Sequence, residues 1–272
     1  MAPIERHVDK LKDKTVLLVA GTGGIGLGVA SACLSRGASV ILTSTQQTKL
    51  DEKIKQLKEL YSDVDSGHIT GYTLNLGSHN VEDNIKDFIR RMSQDGISII
   101  HHVVYMAGDP LPTASIEEIE LDSWTKASQV RTISAVLLIK HTLPFLRAAG
   151  PATRFCSPSI TLTGGSVGDK PIPGGWTILS MVGAAIQGGA RQLALDLKPL
   201  RVNAVAPGVV DTDLWNKMEQ SMRNAFFKSV QERVPTGRVG NVMDVAESYV
   251  YAMVDGNLTG EVLRTNSGTL LL

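Results

Sequence analysis

An excess of charge of either sign is missing from this 272-residue chain, in which 27 basic side chains are matched by 27 acidic ones for a formal net charge of zero. A nucleic-acid binder ordinarily carries a basic patch large enough to lift its isoelectric point well above neutral. A polybasic membrane surface or an acidic disordered tail would also unbalance the count. Cysteine is nearly absent: Cys33 and Cys156 make no disulfide framework, both sit in apolar contexts and read as small core residues, and no Cys/His cluster has metal-ligand spacing. No segment approaches the roughly 18 apolar residues of a membrane span, and the polar residues 1–14 lack the apolar stretch of a signal peptide. These shortages point to a soluble, cytoplasmic protein with no metal site, nucleic-acid partner or membrane partner.

What the chain does have is a regular alternation. Short β-branched runs at 15–20, 39–43, 69–74, 99–106, 159–163, 201–206 and 260–264 are separated by amphipathic stretches at 48–61, 81–92, 122–146, 176–198 and 242–254. Strands separated by helical segments predict βαβ units, hence a seven-stranded, mostly parallel sheet with helices on both faces. No linker-like stretch divides the chain. The pattern therefore predicts a single doubly wound α/β Rossmann domain over residues 1–272, with a substrate-covering insertion near 213–234.

The first strand runs into Gly21-Thr22-Gly23-Gly24-Ile25-Gly26 and then a helical run through Ser35. Such glycines serve a tight turn, close backbone approach to a pyrophosphate, and close helix–strand packing, and the helix start offers unpaired N–H groups to the phosphates. With 26 glycines, GxGxxG arises by chance about 0.2 times in such a chain, so its place between the first strand and the first long helix gives it its weight. After the second strand an NAD site ordinarily places a carboxylate that accepts from the ribose 2′-hydroxyl. Here the chain reads Thr43-Ser44-Thr45-Gln46-Gln47-Thr48-Lys49, with no acid before Asp51. Ser44, Thr45 and Lys49 can donate to a 2′-phosphate, which predicts NADP(H) as the cofactor.

With these residues the chain resembles the short-chain dehydrogenase/reductase family from residue 11 to residue 272. The glycine loop is similar to the family's TGxxxGxG, with Ala20 where its first glycine falls. Met106-Ala107-Gly108 resembles the end of its NNAG segment, with Tyr105 and Met106 in place of the asparagines. Arg201-Val-Asn203-Ala-Val-Ala-Pro207-Gly208-Val-Val210-Asp-Thr212 resembles its RVNxVxPGxxxT. The resemblance implies cofactor contacts from Asn75 and Leu76 after the third strand, Ala107 and Gly108 after the fourth, and Pro207, Gly208, Val210 and Thr212 after the sixth. It also implies a homo-oligomer, dimer or tetramer, paired through the helices at 122–146 and 176–198.

The catalytic positions depart from the family. The alignment places Leu179 at the tyrosine, Gly183 at the lysine, Gly164 at the serine and Arg131 at the asparagine of its tetrad. The chain is thereby similar to a fungal branch that lost the tetrad and includes the bifunctional reductase/Diels–Alderases of prenylated indole alkaloid biosynthesis. Asp109, Arg131 and the run from Pro171 to Trp176 carry that similarity. Ser166, Thr163 and Tyr105 are hydroxyl-bearing candidates to replace the lost acid, although their spacing does not align with it.

Without an acid, ketone reduction loses a general acid–base contribution of about 10²–10⁴-fold. An iminium ion, being already cationic, needs none. Asp109 is then the candidate carboxylate that stabilises the cation, with Asp169 a weaker one on a loop surface. Arg131 is the candidate partner of that carboxylate or of a substrate carbonyl, and Trp176 a flat wall for an aromatic, apolar substrate. Three activities fit these residues. One is an NADPH-dependent reductase of C=N or similarly activated bonds, with or without a coupled Diels–Alder cyclisation in secondary metabolism. The second is a non-redox cyclase or isomerase with a structural nucleotide, and the third a silent nucleotide-binding partner protein.

Overall fold

The computed structural model describes residues 8–108, 110–153, 157–216 and 218–272. Its framework is one parallel sheet of β1 (Thr15–Val19), β2 (Ser39–Ser44), β3 (Ile69–Thr73), β4 (His102–Tyr105), β5 (Ser159–Thr163), β6 (Arg201–Pro207) and β7 (Val262–Thr265). The strand order is β3-β2-β1-β4-β5-β6-β7, with every neighbouring pair parallel. The seven predicted runs thus all become strands, most within a residue or two of their expected ends. The fourth is the exception: it begins at His102 rather than 99, because Ile99 is left exposed ahead of the sheet.

Both faces of the sheet are covered, and the residues show why. Along β1, Val16 and Leu18 join one apolar cluster and Leu17 and Val19 the other. That period of two, with both sets fully buried, is what a doubly covered parallel strand requires. On one face lie α1 (Gly24–Leu34), α2 (Gln47–Leu60) and α8 (Val242–Val254), which bring Val29, Leu50 and Tyr249 into the core. Cys33 belongs to this layer, and burial pushes its thiol up to about 12, the behaviour of a packed and unreactive side chain. Cys156 lies outside the described residues. The other face is covered by α3 (Val81–Gln94), α5 (Ser134–Ala148) and α6 (Thr177–Asp196), with Phe88, Leu138 and Ile186 in the core.

The helix expected over 122–146 is interrupted. It divides into α4 (Leu121–Ser128), a π turn at Gln129–Ile133, and α5. Three bonds account for the break. The buried Tyr105 hydroxyl donates to the Val130 carbonyl, Thr132 Oγ1 donates to Ser128 O at 2.7 Å, and Ser134 Oγ to Leu76 O at 2.9 Å. Side-chain bonds of this kind compete with the regular helical ladder, and π turns gather where a helix must re-aim a side chain. The re-aimed side chain here is Arg131. After β6, a 3₁₀ turn (Asp213–Trp215) leads to α7 (Gln220–Arg233), in the region read as an insertion. Among the described residues no helix is long and apolar enough to cross a membrane.

Candidate functional site

In an open parallel sheet, ligands sit outside the carboxyl ends of the strands where the strand order reverses. Here that point lies between β1 and β4, and most of the residues singled out from the sequence converge beside it. The glycine loop leaves β1 through Ala20, whose φ of +61° is the left-handed conformation that a glycine adopts freely. Its N–H donates to Thr43 Oγ1 at 3.0 Å, tying the loop to β2. A Cβ on Gly26 would lie 2.7 Å from Ala20 O and 2.8 Å from Gly21 Cα, so the start of α1 and the loop touch backbone to backbone. Thr22 is buried beneath them, and Gly23 and Ile25 are half-buried.

The second lip of the crevice is the end of β2. Ser44 is buried and its Oγ accepts from Gln46 N–H at 3.3 Å, while Thr45 is exposed. Lys49, in the first turn of α2, reaches back over the crevice to Asp213 Oδ2 at 3.0 Å. The other oxygen of that carboxylate accepts from Gly24 N–H, the first residue of α1, at 3.2 Å. Burial opposes ionisation of Asp213, but the Lys49 ammonium and the Gly24 N–H outweigh it and hold its carboxyl below the usual range. Asn75 turns its side chain onto its own loop, accepting from Gly77 N–H at 3.0 Å, and Leu76 is buried behind it.

The residues fit a dinucleotide. Gly21, Gly24 and Gly26 form a cradle in which a Cβ at any of the three would fall within 3 Å of a neighbouring atom. The helix N–H at Gly24 is matched to an anion, and a carboxylate already stands there. At the far end, Ala107 and Gly108 follow β4, and Pro207 closes β6. A Cβ on Gly208 would lie 2.9 Å from Asn266 Cα, so the strand ends β6 and β7 meet there. Asn266 Nδ2, which no local motif singles out, is buried without a hydrogen-bond partner among the described residues. Val210 is buried and its carbonyl accepts from Trp215 Nε1 at 2.9 Å, while Thr212 Oγ1 accepts from Leu214 N–H at 3.4 Å.

The catalytic end is built differently. Leu179, at the expected tyrosine position, is 6% exposed and packs inward. Gly183, at the lysine position, faces Gly168: a Cβ on Gly183 would stand 3.3 Å from the Gly168 backbone, and one on Gly168 only 2.8 Å from Ala184 N and Gly183 C. The turn Ser166–Gly168 therefore lies directly against α6, where a long side chain from 183 would have to pass. Two of the three candidate hydroxyls are already committed to other partners. Tyr105 donates to Val130 O, and burial raises its phenol well above the usual value. Thr163 Oγ1 pairs with Tyr249 Oη at 2.9 Å, and Ser166 lies in the turn that packs on α6.

The Arg131 guanidinium lies against Gly108, where a Cβ would fall 2.6 Å from Nη1. Asp109, the next residue in the chain, lies outside the described residues. Trp176 precedes the first residue of α6 and borders a 290 Å³ cavity lined also by Val167, Pro171, Ile172, Met181 and the Ser180 hydroxyl. The expectation that Asp169 sits on a loop surface is corrected. Its side chain is only 14% exposed and is bound by Arg264 Nη2 at 2.8 Å and Gln187 Nε2 at 3.1 Å, so it anchors the 166–172 segment to β7 and α6. A partner 95 residues away in sequence gave no local signal of this.

A family profile described as an SDR-like Rossmann domain matches residues 7–272. The chain is 34% identical over 267 residues to the short-chain dehydrogenase/reductase ucsE of an Acremonium species, covering 98% of each chain. It is 34% identical over 275 residues to the short-chain dehydrogenase/reductase fsr5 of Gibberella fujikuroi, covering 100% of each. Among solved structures, that of the MalC reductase/Diels–Alderase from Malbranchea aurantiaca superposes with a TM-score of 0.85 at 32% identity, covering 97% of this chain and 99% of that one.

Proposed function

From the premise that the chain belongs to the short-chain dehydrogenase/reductase family, we propose that it is an NADP(H)-dependent reductase of an iminium or similarly activated C=N bond, working without the Ser-Tyr-Lys machinery. The observation that carries this reading is the contrast within one crevice. The dinucleotide cradle is intact, while a glycine–glycine contact and a buried leucine stand where an acid would be. Bound NADPH supplies a hydride. The chain's part is to seat the nucleotide and to orient an acceptor that needs no proton.

Each residue then has a task. Gly24 N–H receives the pyrophosphate, and Lys49 with Ser44 receives the adenosine phosphate. Pro207, Gly208 and Thr212 border the nicotinamide end. The open pocket at Trp176, whose lining holds no ionisable side chain, takes an apolar, aromatic substrate. A cation held against such apolar walls needs a counter-charge nearby. Asp109, adjoining the Gly108 on which Arg131 packs, is the carboxylate we assign to that role. A coupled cyclisation, as in the MalC reductase/Diels–Alderase, needs only that the pocket hold a product in one folded shape. The exposed face of α6 around Leu195, which is 62% exposed, is the surface we assign to a second copy of the chain.

Stereospecifically deuterated NADPH incubated with a cyclic iminium tests the reading. Deuterium at the former C=N carbon is expected, with Asp109→Asn slowing transfer by at least ~10-fold while nucleotide affinity stays within about two-fold. Turnover of substrate with no loss of reduced nucleotide would instead mark a non-redox cyclase.

A further inference from the structure

The phosphate seat at the head of α1 holds an anion of the protein's own. Asp213 receives Gly24 N–H on one oxygen and the Lys49 ammonium on the other, at 3.2 and 3.0 Å. These donors come from opposite lips of the crevice, and the proposed function assigns the same two to the phosphates of a dinucleotide. The contact extends beyond one side chain: a Cβ on Gly24 would lie 2.7 Å from Thr212 Cβ and Cγ2, so the whole turn lies on the glycine loop. The turn is also held from behind. Trp215 Nε1 donates to Val210 O, its indole packs 4.9 Å from the Phe226 ring, and Arg223 pairs with Asp211.

We propose that Asp213 is an internal ligand of the cofactor's phosphate seat, a clasp that keeps residues 208–216 on the glycine loop until the dinucleotide displaces it. The proposal rests on the nucleotide reading above. A carboxylate and a phosphate cannot share one N–H and one ammonium, because like charges at that separation repel strongly. Binding therefore exchanges one anion for another, and Lys49 passes from Asp213 to the incoming phosphate. The pyrophosphate common to both nucleotides competes for Gly24 N–H, and the adenosine phosphate of NADP(H) alone also competes for Lys49, so the clasp weakens both nucleotides and NADP(H) by the larger factor.

Its size follows from exposure. The two side chains are 36% and 44% exposed, and pairs this open shift an equilibrium by about two- to five-fold. The charge-assisted bond from Gly24 N–H adds to this, giving about three- to ten-fold in affinity. Asn at 213 keeps an acceptor for Gly24 N–H but loses the charge, and Ala loses both, so the gain is larger for Asp213→Ala than for Asp213→Asn.

Calorimetric titration of the full chain with NADP⁺ and separately with NAD⁺ tests the clasp in the native protein and both variants. Both variants are expected to bind both nucleotides more tightly, NADP⁺ by about three- to ten-fold and NAD⁺ by a smaller factor. Amide exchange of residues 210–216 without nucleotide is expected to quicken. Asp213→Asn, which preserves shape, decides the matter where Asp213→Ala fails to fold. Unchanged or weaker binding by the variants, with the native protein binding normally, overturns the clasp and leaves the nucleotide reading intact. A gain confined to one nucleotide also overturns it, by placing Asp213 in contact with bound ligand. Absence of binding by every form removes the nucleotide reading and the clasp with it.

Discussion

The two ends of the crevice use glycine in opposite ways. At the nucleotide end, Gly21, Gly24 and Gly26 bring a loop and a helix start close together, with the Gly24 N–H bound by the Asp213 carboxylate. At the catalytic end, Gly168 and Gly183 let a turn collapse onto α6, so that backbone fills the place where a lysine side chain would reach. On the proposed reading, the same residue type preserves a binding seat in one region and closes off an acid–base centre in the other, so that restoring the family's catalytic side chains would not by itself restore the centre.

Four variants break or sharpen this contrast. The largest effect is expected from Gly26→Ala, whose Cβ would meet backbone at 2.7 and 2.8 Å. Nucleotide affinity should fall by at least ~100-fold, with a stability loss of about 1–3 kcal/mol, read by calorimetry and thermal unfolding. Next is the double change Leu179→Tyr with Gly183→Lys, which reinstates two tetrad side chains. Overpacking against the Gly168 turn should cost about 1–3 kcal/mol, and ketone reduction should stay absent. A stable double variant that reduces ketones would show that side-chain identity alone separates the two ends.

Tyr105→Phe comes third. It leaves the Val130 carbonyl of the π turn without its donor and should cost about 1–2 kcal/mol in chemical denaturation, with nucleotide affinity unchanged. Ala20→Gly has the smallest effect. Relief of a left-handed alanine is worth about 1–2 kcal/mol and the freer unfolded chain takes back about 0.4–1, so a net gain of up to about 1.6 kcal/mol is expected. A loss of stability there would contradict the view that position 20 retains a glycine's conformation.

What could be read from the sequence, and what could not, follows the range of the interactions. The strands were visible because burial on both faces demands continuous β-branched and aliphatic runs, as in Thr15–Val19 and Ser39–Ser44. The glycine loop was visible because its demands are met within six residues. The π turn at Gln129–Ile133 was not: its cause is a hydroxyl on β4, and the amphipathic pattern runs through the break without a signal. Asp213 was passed over for a similar reason, as its partners Gly24 and Lys49 lie 189 and 164 residues away. Asp169 read as loop surface until Arg264 and Gln187 were seen to bury it. Residues bound by local geometry were thus legible, and residues bound by charge across the fold were not.

The central claim is that this crevice delivers hydride to an acceptor that needs no acid. Its most direct test is the rate of NADPH oxidation by the full chain with a cyclic iminium and with the ketone of matched size and shape. The iminium is expected to react at least ~100-fold faster, the scale of a missing general acid. Reduction of the ketone at an equal or greater rate would contradict the account.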